Sequence, residues 1–146
     1  MLSGACMCGR IQYEIAGKPR FMYQCHCGKC RAASGSSFVT NLIIDASKFS
    51  ITAGKESLAA FESSPRKFRH FCSVCGSPIY SQGEETKQVV SVRCGTLKQD
   101  PGVRVAYHAF VASKAPWLEI QDHQPQFSEW ADPMLVKQLF TGNHDA

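Results

Sequence analysis

Three thiols fall within six residues in Cys25-His26-Cys27-Gly28-Lys29-Cys30, and two pairs flank them, Cys6-Met7-Cys8 before and Cys72-Ser73-Val74-Cys75 after. Thiolates spaced C-x-C or C-x-x-C can reach one tetrahedral ion, with Zn–S bonds of about 2.3 Å. One such knuckle is weak evidence, whereas two separated knuckles can close a four-thiolate site. Cys6, Cys8, Cys72 and Cys75 are therefore expected to hold a structural zinc ion, which ties the first strand to the middle of the chain and contributes directly to folding. Cys25, Cys27 and Cys30 are expected to hold a second ion and to leave its fourth position to water, substrate or another side chain. Three protein ligands with an open position is the arrangement of catalytic zinc.

The remaining cysteine, Cys94, has two readings: a fourth thiolate for the triplet, or a core thiol. Alternation in Val90-Ser91-Val92-Arg93-Cys94 sets Cys94 on the face of Val90 and Val92, which favours the core. His26 lies between two ligand candidates and is expected to project away from their ion, at the surface or just outside the site. A thioredoxin-type dithiol in Cys27-Gly28-Lys29-Cys30 would want a βαβ context and leaves Cys25 unexplained. A zinc deaminase would need H-x-E and P-C-x-x-C, but Gly28 stands two places after His26 and Phe71 precedes Cys72. The intervals match none of the common ferredoxin runs.

The elements that must carry these cysteines read as strands. Arg10 to Ile15 alternates Ile11, Tyr13 and Ile15 against Gln12 and Glu14. Gly17-Lys18-Pro19 turns the chain, and Phe21 to Gln24 is expected as the partner strand that delivers the triplet. A short helical turn over Cys27 to Ala33 is expected to end at Ser34-Gly35-Ser36. Further strands are expected over Phe38 to Ile44, Phe49 to Thr52, Leu58 to Phe61, Lys67 to Phe71, Ile79 to Ser81, Val89 to Cys94 and Val103 to Ala109. Gly76 follows the second knuckle, where it frees the backbone to fold amides toward thiolates. Asp132-Pro133 begins a short helix through Phe140, stopped by Gly142.

The chain of 146 residues, 44% hydrophobic and 19% charged, has the composition of an ordinary folded protein, and it is expected to form one mainly β domain over 1–146. Its net charge of +4 is too small and too scattered to argue for nucleic acid, though it suits anionic small molecules. Arg66-Lys67-Phe68-Arg69 is a short basic cluster expected on a solvated strand edge. No secretory signal or membrane-length apolar run is visible, so a cytoplasmic location is expected. In that compartment cysteines are more often metal ligands or reactive groups than disulfides.

With these assignments made, the chain resembles the glutathione-dependent formaldehyde-activating enzyme family, which also includes the eukaryotic centromere protein V. The resemblance covers about 4–117. It rests on Gly4-Ala5-Cys6-Met7-Cys8-Gly9, Cys25-His26-Cys27-Gly28-Lys29-Cys30-Arg31, Ser34-Gly35, Ser64-Pro65, Phe71-Cys72-Ser73-Val74-Cys75-Gly76-Ser77, Gly95-Thr96-Leu97 and His108 to Trp117. It implies a zinc-stapled, β-tent-like fold, with Cys6, Cys8, Cys72 and Cys75 as structural ligands and Cys25, Cys27 and Cys30 as catalytic ones. The implied activity joins formaldehyde to glutathione, giving S-(hydroxymethyl)glutathione, formally a carbon–sulfur lyase reaction. The alternative is a non-catalytic zinc protein that binds or carries glutathione or another small thiol. The expected partners are a small thiol and an aldehyde, without nucleic acid or membrane. Arg31, Arg93, His108 and Lys114 are candidate cations for the substrate's carboxylates. Of these, Arg93 and His108 are preferred, and Lys114 is read as a solubilising residue. Trp117 is expected to be a packing anchor.

Overall fold

The computed structural model describes residues 1–142. The fold is mainly β, with ten strands in two sheets and two helices. Strands β1 (Leu2–Ala5), β2 (Gln12–Ile15) and β5 (Phe49–Ala53) form a three-stranded sheet in the order β1-β2-β5. The larger sheet comprises β3 (Phe21–Cys25), β4 (Val39–Asp45), β6 (Leu58–Ser64), β7 (Lys67–Cys72), β8 (Pro78–Gly83), β9 (Val89–Arg93) and β10 (Val105–Ala109). Its order is β10-β3-β4-β9-β8-β7-β6, antiparallel throughout except for the parallel pair β10–β3.

Alternation decides what each face of the large sheet does. Met22, Leu42, Ile44, Val90 and Val92 face the small sheet and bury themselves against Ile11, Tyr13 and Ile15. The residues between them point the other way. Part of that opposite face is covered by helix α2 (Pro133–Gly142), whose Leu135, Val136, Leu139 and Phe140 pack on Phe21, Ile43 and Tyr107. Asp132 Oδ1 accepts from the Met134 amide at 2.9 Å, the capping role read from Asp132-Pro133. Arg20 ties this layer down: its guanidinium donates to both carboxylate oxygens of Asp45 at 2.9 Å and to the Phe140 carbonyl at 3.1 Å. The rest of that face is left open, and there the site lies.

Two expectations are corrected and one strand is added. β3 does not pair with β2; it joins β4 and β10 in the other sheet, because Met22 completes the inter-sheet core that β2 faces. Leu2–Ala5 is a strand that the short, weakly alternating segment did not announce. β7 is not an edge strand, since it pairs with β6 on one side and β8 on the other.

Candidate metal centres and the cavity beside them

The first thiol cluster gathers Cys6, Cys8, Cys72 and Cys75, whose sulfurs lie within 4.8 Å of one another. Sulfurs sharing a tetrahedral ion with bonds of about 2.3 Å stand about 3.8 Å apart. The Cys6–Cys8 and Cys8–Cys72 sulfur separations are 3.5 and 3.8 Å, so this set fits such an ion. The two knuckles are built alike. The Ile11 amide donates to Cys6 Sγ at 3.3 Å, and the Cys75 amide to Cys72 Sγ at 3.5 Å. Gly9 and Gly76 turn the chain back after each pair by taking left-handed φ angles of 80° and 78°, which a side chain would strain, so that the Cys6 amide reaches the Ile11 carbonyl at 3.0 Å and the Cys72 amide the Ser77 carbonyl at 2.9 Å. One knuckle follows β1 and the other joins β7 to β8, so the cluster pins the two sheets together.

The second cluster, Cys25, Cys27 and Cys30, also lies within 4.8 Å sulfur to sulfur. Cys25 ends β3, and Cys27 is the N-cap of the seven-residue helix α1 (Gly28–Ser34), its sulfur accepting from the Cys30 amide at 3.3 Å. A cysteine sulfur thus takes the place usually held by Ser or Asp oxygen. Arg69 Nη2 stands 3.6 Å from Cys30 Sγ. Cys30 is pulled down to about 5, first by its hydrogen bond with Cys25 and then, against burial, by the Arg69 guanidinium. The Cys25 thiol is pushed up by the same pairing and by burial. The sulfur on which negative charge is favoured, Cys30 Sγ, is thus the one that Arg69 faces. Among the described residues, no fourth ligating side chain completes this group. Cys94 belongs to neither cluster; it packs half-buried against the inter-sheet core, where burial pushes its thiol up to about 11.

The triplet lines a cavity of about 650 Å³ on the open face of the large sheet. Register explains its composition. One cross-strand row runs Tyr23–Asn41–Arg93 over β3, β4 and β9, and another runs Ser91–Ser81–Arg69 over β9, β8 and β7. Arg93 is only 7% exposed, and its Nη1 donates to Asn41 Oδ1 at 2.6 Å and to the Ser91 carbonyl at 3.2 Å. Burial pulls its pKa down, with the nearby charge of Arg69 adding to that. Lys29 and Lys67 also line the cavity, but no aspartate or glutamate does among the described residues. Lys29 Nζ is held by the Ser63 carbonyl at 2.9 Å and Ser64 Oγ at 2.8 Å. At the mouth, Trp130 stands edge-on to Phe110 at 4.9 Å, with Lys67 Nζ 4.7 Å over its ring. Four cations without a carboxylate make this an anion-accepting space.

Of the four cations singled out in the sequence, only Arg93 lines the cavity. Arg31 is half-buried outside it. Lys114 Nζ donates to the Ala115 and Leu118 carbonyls, so it is engaged with its own loop. His108 is 1% exposed and bound by two protein partners: Nδ1 lies 2.9 Å from His26 Nε2, and Nε2 lies 2.9 Å from both Asp122 oxygens. His26 is fully buried, not at the surface, and burial, reinforced by His108, pulls its pKa down to about 4. Trp117 is 72% exposed and donates to Ser37 Oγ, so it anchors no core. The sequence sets Lys67 and Arg69 in a basic run that reads as a solvated edge; β6 and β8 enclose their strand, and alternation turns both toward the cavity.

These features define a cysteine-rich, mainly β protein with two thiol clusters, one closed and one facing a cationic cavity. The family model for glutathione-dependent formaldehyde-activating enzyme matches residues 1–113. The chain belongs to that family. A relative from Fusarium vanettenii, whose name assigns it provisionally to the same enzymes, is 29% identical over 142 residues, covering 97% of this chain and 67% of its own length. A crystal structure of a Rhodobacter sphaeroides structural-genomics target superposes with a TM-score of 0.56 at 21% identity, over 70% of this chain and 90% of that one, and supports the fold. No described helix is long and apolar enough to cross a membrane.

Proposed function

We propose that this chain is one zinc-binding domain and a carbon–sulfur lyase that joins a small anionic thiol to an aldehyde, with glutathione and formaldehyde as the first candidates. Cys6, Cys8, Cys72 and Cys75 hold a structural zinc ion, and Cys25, Cys27 and Cys30 hold a catalytic one. The observation that carries this reading is the placement of three clustered thiols, with no fourth protein ligand among the described residues, on the wall of a cationic cavity. At about 650 Å³ the cavity falls within the roughly 300–1,000 Å³ range of small-molecule sites.

In the reaction the thiol sulfur forms a bond to the carbonyl carbon, the carbon–oxygen π bond breaks, and the thiol proton ends on the new hydroxyl. A zinc ion with an open position supplies two aids: it lowers the pKa of an incoming thiol, and it polarises a carbonyl. Three thiolates would leave a net charge of −1 on such a centre, which weakens it for a fourth anionic sulfur. Arg69, at 3.6 Å from Cys30 Sγ, offsets that charge. Arg93, held by Asn41 and Ser91, offers a charge-assisted contact to a substrate carboxylate. His108 is spent on His26 and Asp122 and is not assigned a substrate contact.

The test is the rate of S-(hydroxymethyl)glutathione formation with zinc-loaded protein, measured above the spontaneous reaction. Acceleration that Cys27→Ser removes, in a protein that still folds, supports the lyase. Saturable glutathione binding by calorimetry without acceleration would make the chain a thiol carrier.

A further inference from the structure

We propose that Asp122 and His108 are positioning residues for the cysteine triplet, acting through His26. The inference rests on the reading that Cys25, Cys27 and Cys30 bind a metal ion. His26 is the residue between two of those ligands, and both of its ends are tied to β10. Its amide donates to the Ala109 carbonyl at 3.0 Å, and its ring meets His108 at 2.9 Å. In a C-x-C chelate the middle residue's backbone sets the directions from which the two sulfurs approach one ion. A side chain that fixes the middle residue therefore fixes the bite of the pair.

The polarity of the chain follows from its outer end. A carboxylate only accepts, so His108 Nε2 donates to Asp122, and the 2.9 Å hydrogen bond between His108 Nδ1 and His26 Nε2 carries that restraint on to His26. Among the described residues, His26 Nδ1 has no hydrogen-bond partner. The ring is thus oriented by hydrogen bonding from one side alone, by His108, with Phe38 beside it at 5.4 Å between ring centres. Two buried imidazoles with an unsatisfied nitrogen are a costly way to fill space that an apolar side chain could fill. What they add is direction. Asp122 lies on the irregular segment after β10, its side chain 42% exposed, and its Oδ1 accepts from the Gln124 amide at 3.0 Å. A group far from the sulfurs in sequence thereby holds the loop that presents them.

The experiment fills the four-cysteine cluster with one equivalent of zinc and then titrates cobalt(II) into the second site, reading affinity and the ligand-field bands. Outer groups that orient metal ligands typically change affinity by about 10- to 100-fold when removed. Asp122→Ala is expected to weaken cobalt binding by about tenfold or more and to change the band envelope, with thermal stability within a few degrees of wild type. Asp122→Asn keeps an acceptor oxygen for His108 and should remain within about threefold. His108→Phe should match Asp122→Ala in cobalt affinity if it folds. Wild-type affinity and spectrum in Asp122→Ala would overturn the proposal, as would equal impairment in Asp122→Ala and Asp122→Asn, which would point to charge instead of orientation. Failure of the wild-type protein to take up cobalt would overturn the metal reading itself, and this inference with it.

Discussion

Replacing Arg93 with Met keeps most of the side-chain volume and removes the guanidinium. Arg93 is 7% exposed, its Nη1 donates to the neutral Asn41 and Ser91 oxygens, and its cavity holds no carboxylate among the described residues. A substrate carboxylate would therefore be the first full negative charge it meets apart from that of the thiol triplet. Hydrogen bonds to charged groups contribute about 1.5–3 kcal/mol. At about 1.4 kcal/mol per tenfold, their loss should raise KM for glutathione by about 10- to 150-fold. Steady-state adduct formation provides the assay, with 2-mercaptoethanol as a neutral thiol of the same chemistry. The comparison removes any general effect on the metal centre, which would slow both thiols. Arg93→Met should leave 2-mercaptoethanol within about threefold of wild type. An equal loss for both thiols would refute the assignment of Arg93 to substrate charge.

Other consequences are as specific. Cys72→Ser should abolish or strongly lower the thermal unfolding transition, because structural zinc in small domains contributes about 10 kcal/mol or more to folding; circular dichroism with and without chelator checks this. Gly4→Ala should destabilise the fold by about 1–3 kcal/mol in urea, since an added Cβ would stand 2.2 Å from the Tyr13 ring and 2.5 Å from the Thr96 carbonyl. The Arg20 guanidinium, then Lys48, holds Asp45 below the usual carboxylate range against a smaller effect of burial. A depressed folded pKa means the contribution is complete above the unfolded value of about 3.9 and is lost as pH falls through the folded one. Asp45→Asn should therefore cost about 1 kcal/mol at pH 7, with the gap to wild type closing as pH falls below the unfolded carboxylate value and through the lowered folded one; a gap unchanged by pH would contradict the ion pair.

Both thiol clusters were legible in the sequence because ligand spacing is a local property, and C-x-C and C-x-x-C bring sulfurs together whatever surrounds them. Most strands were legible for the same reason, through alternation in runs such as Gln12–Ile15 and Val89–Arg93. What could not be read was which strands meet. Phe21–Cys25 looks like the return arm of a hairpin, yet it crosses to the other sheet, and only that crossing sets Tyr23 and Cys25 beside Asn41 and Arg93. Lys67 and Arg69 look like edge charges until β6 and β8 enclose their strand. His26 and His108 stand 82 positions apart, and no periodicity links them to Asp122.

Zinc content per chain, read together with turnover in the same preparations, tests the central claim most directly. Wild-type protein should hold two ions and accelerate S-(hydroxymethyl)glutathione formation, while Cys27→Ser should hold one, stay folded and show only the spontaneous rate. Full acceleration by a protein carrying a single ion in the four-cysteine cluster would contradict the account.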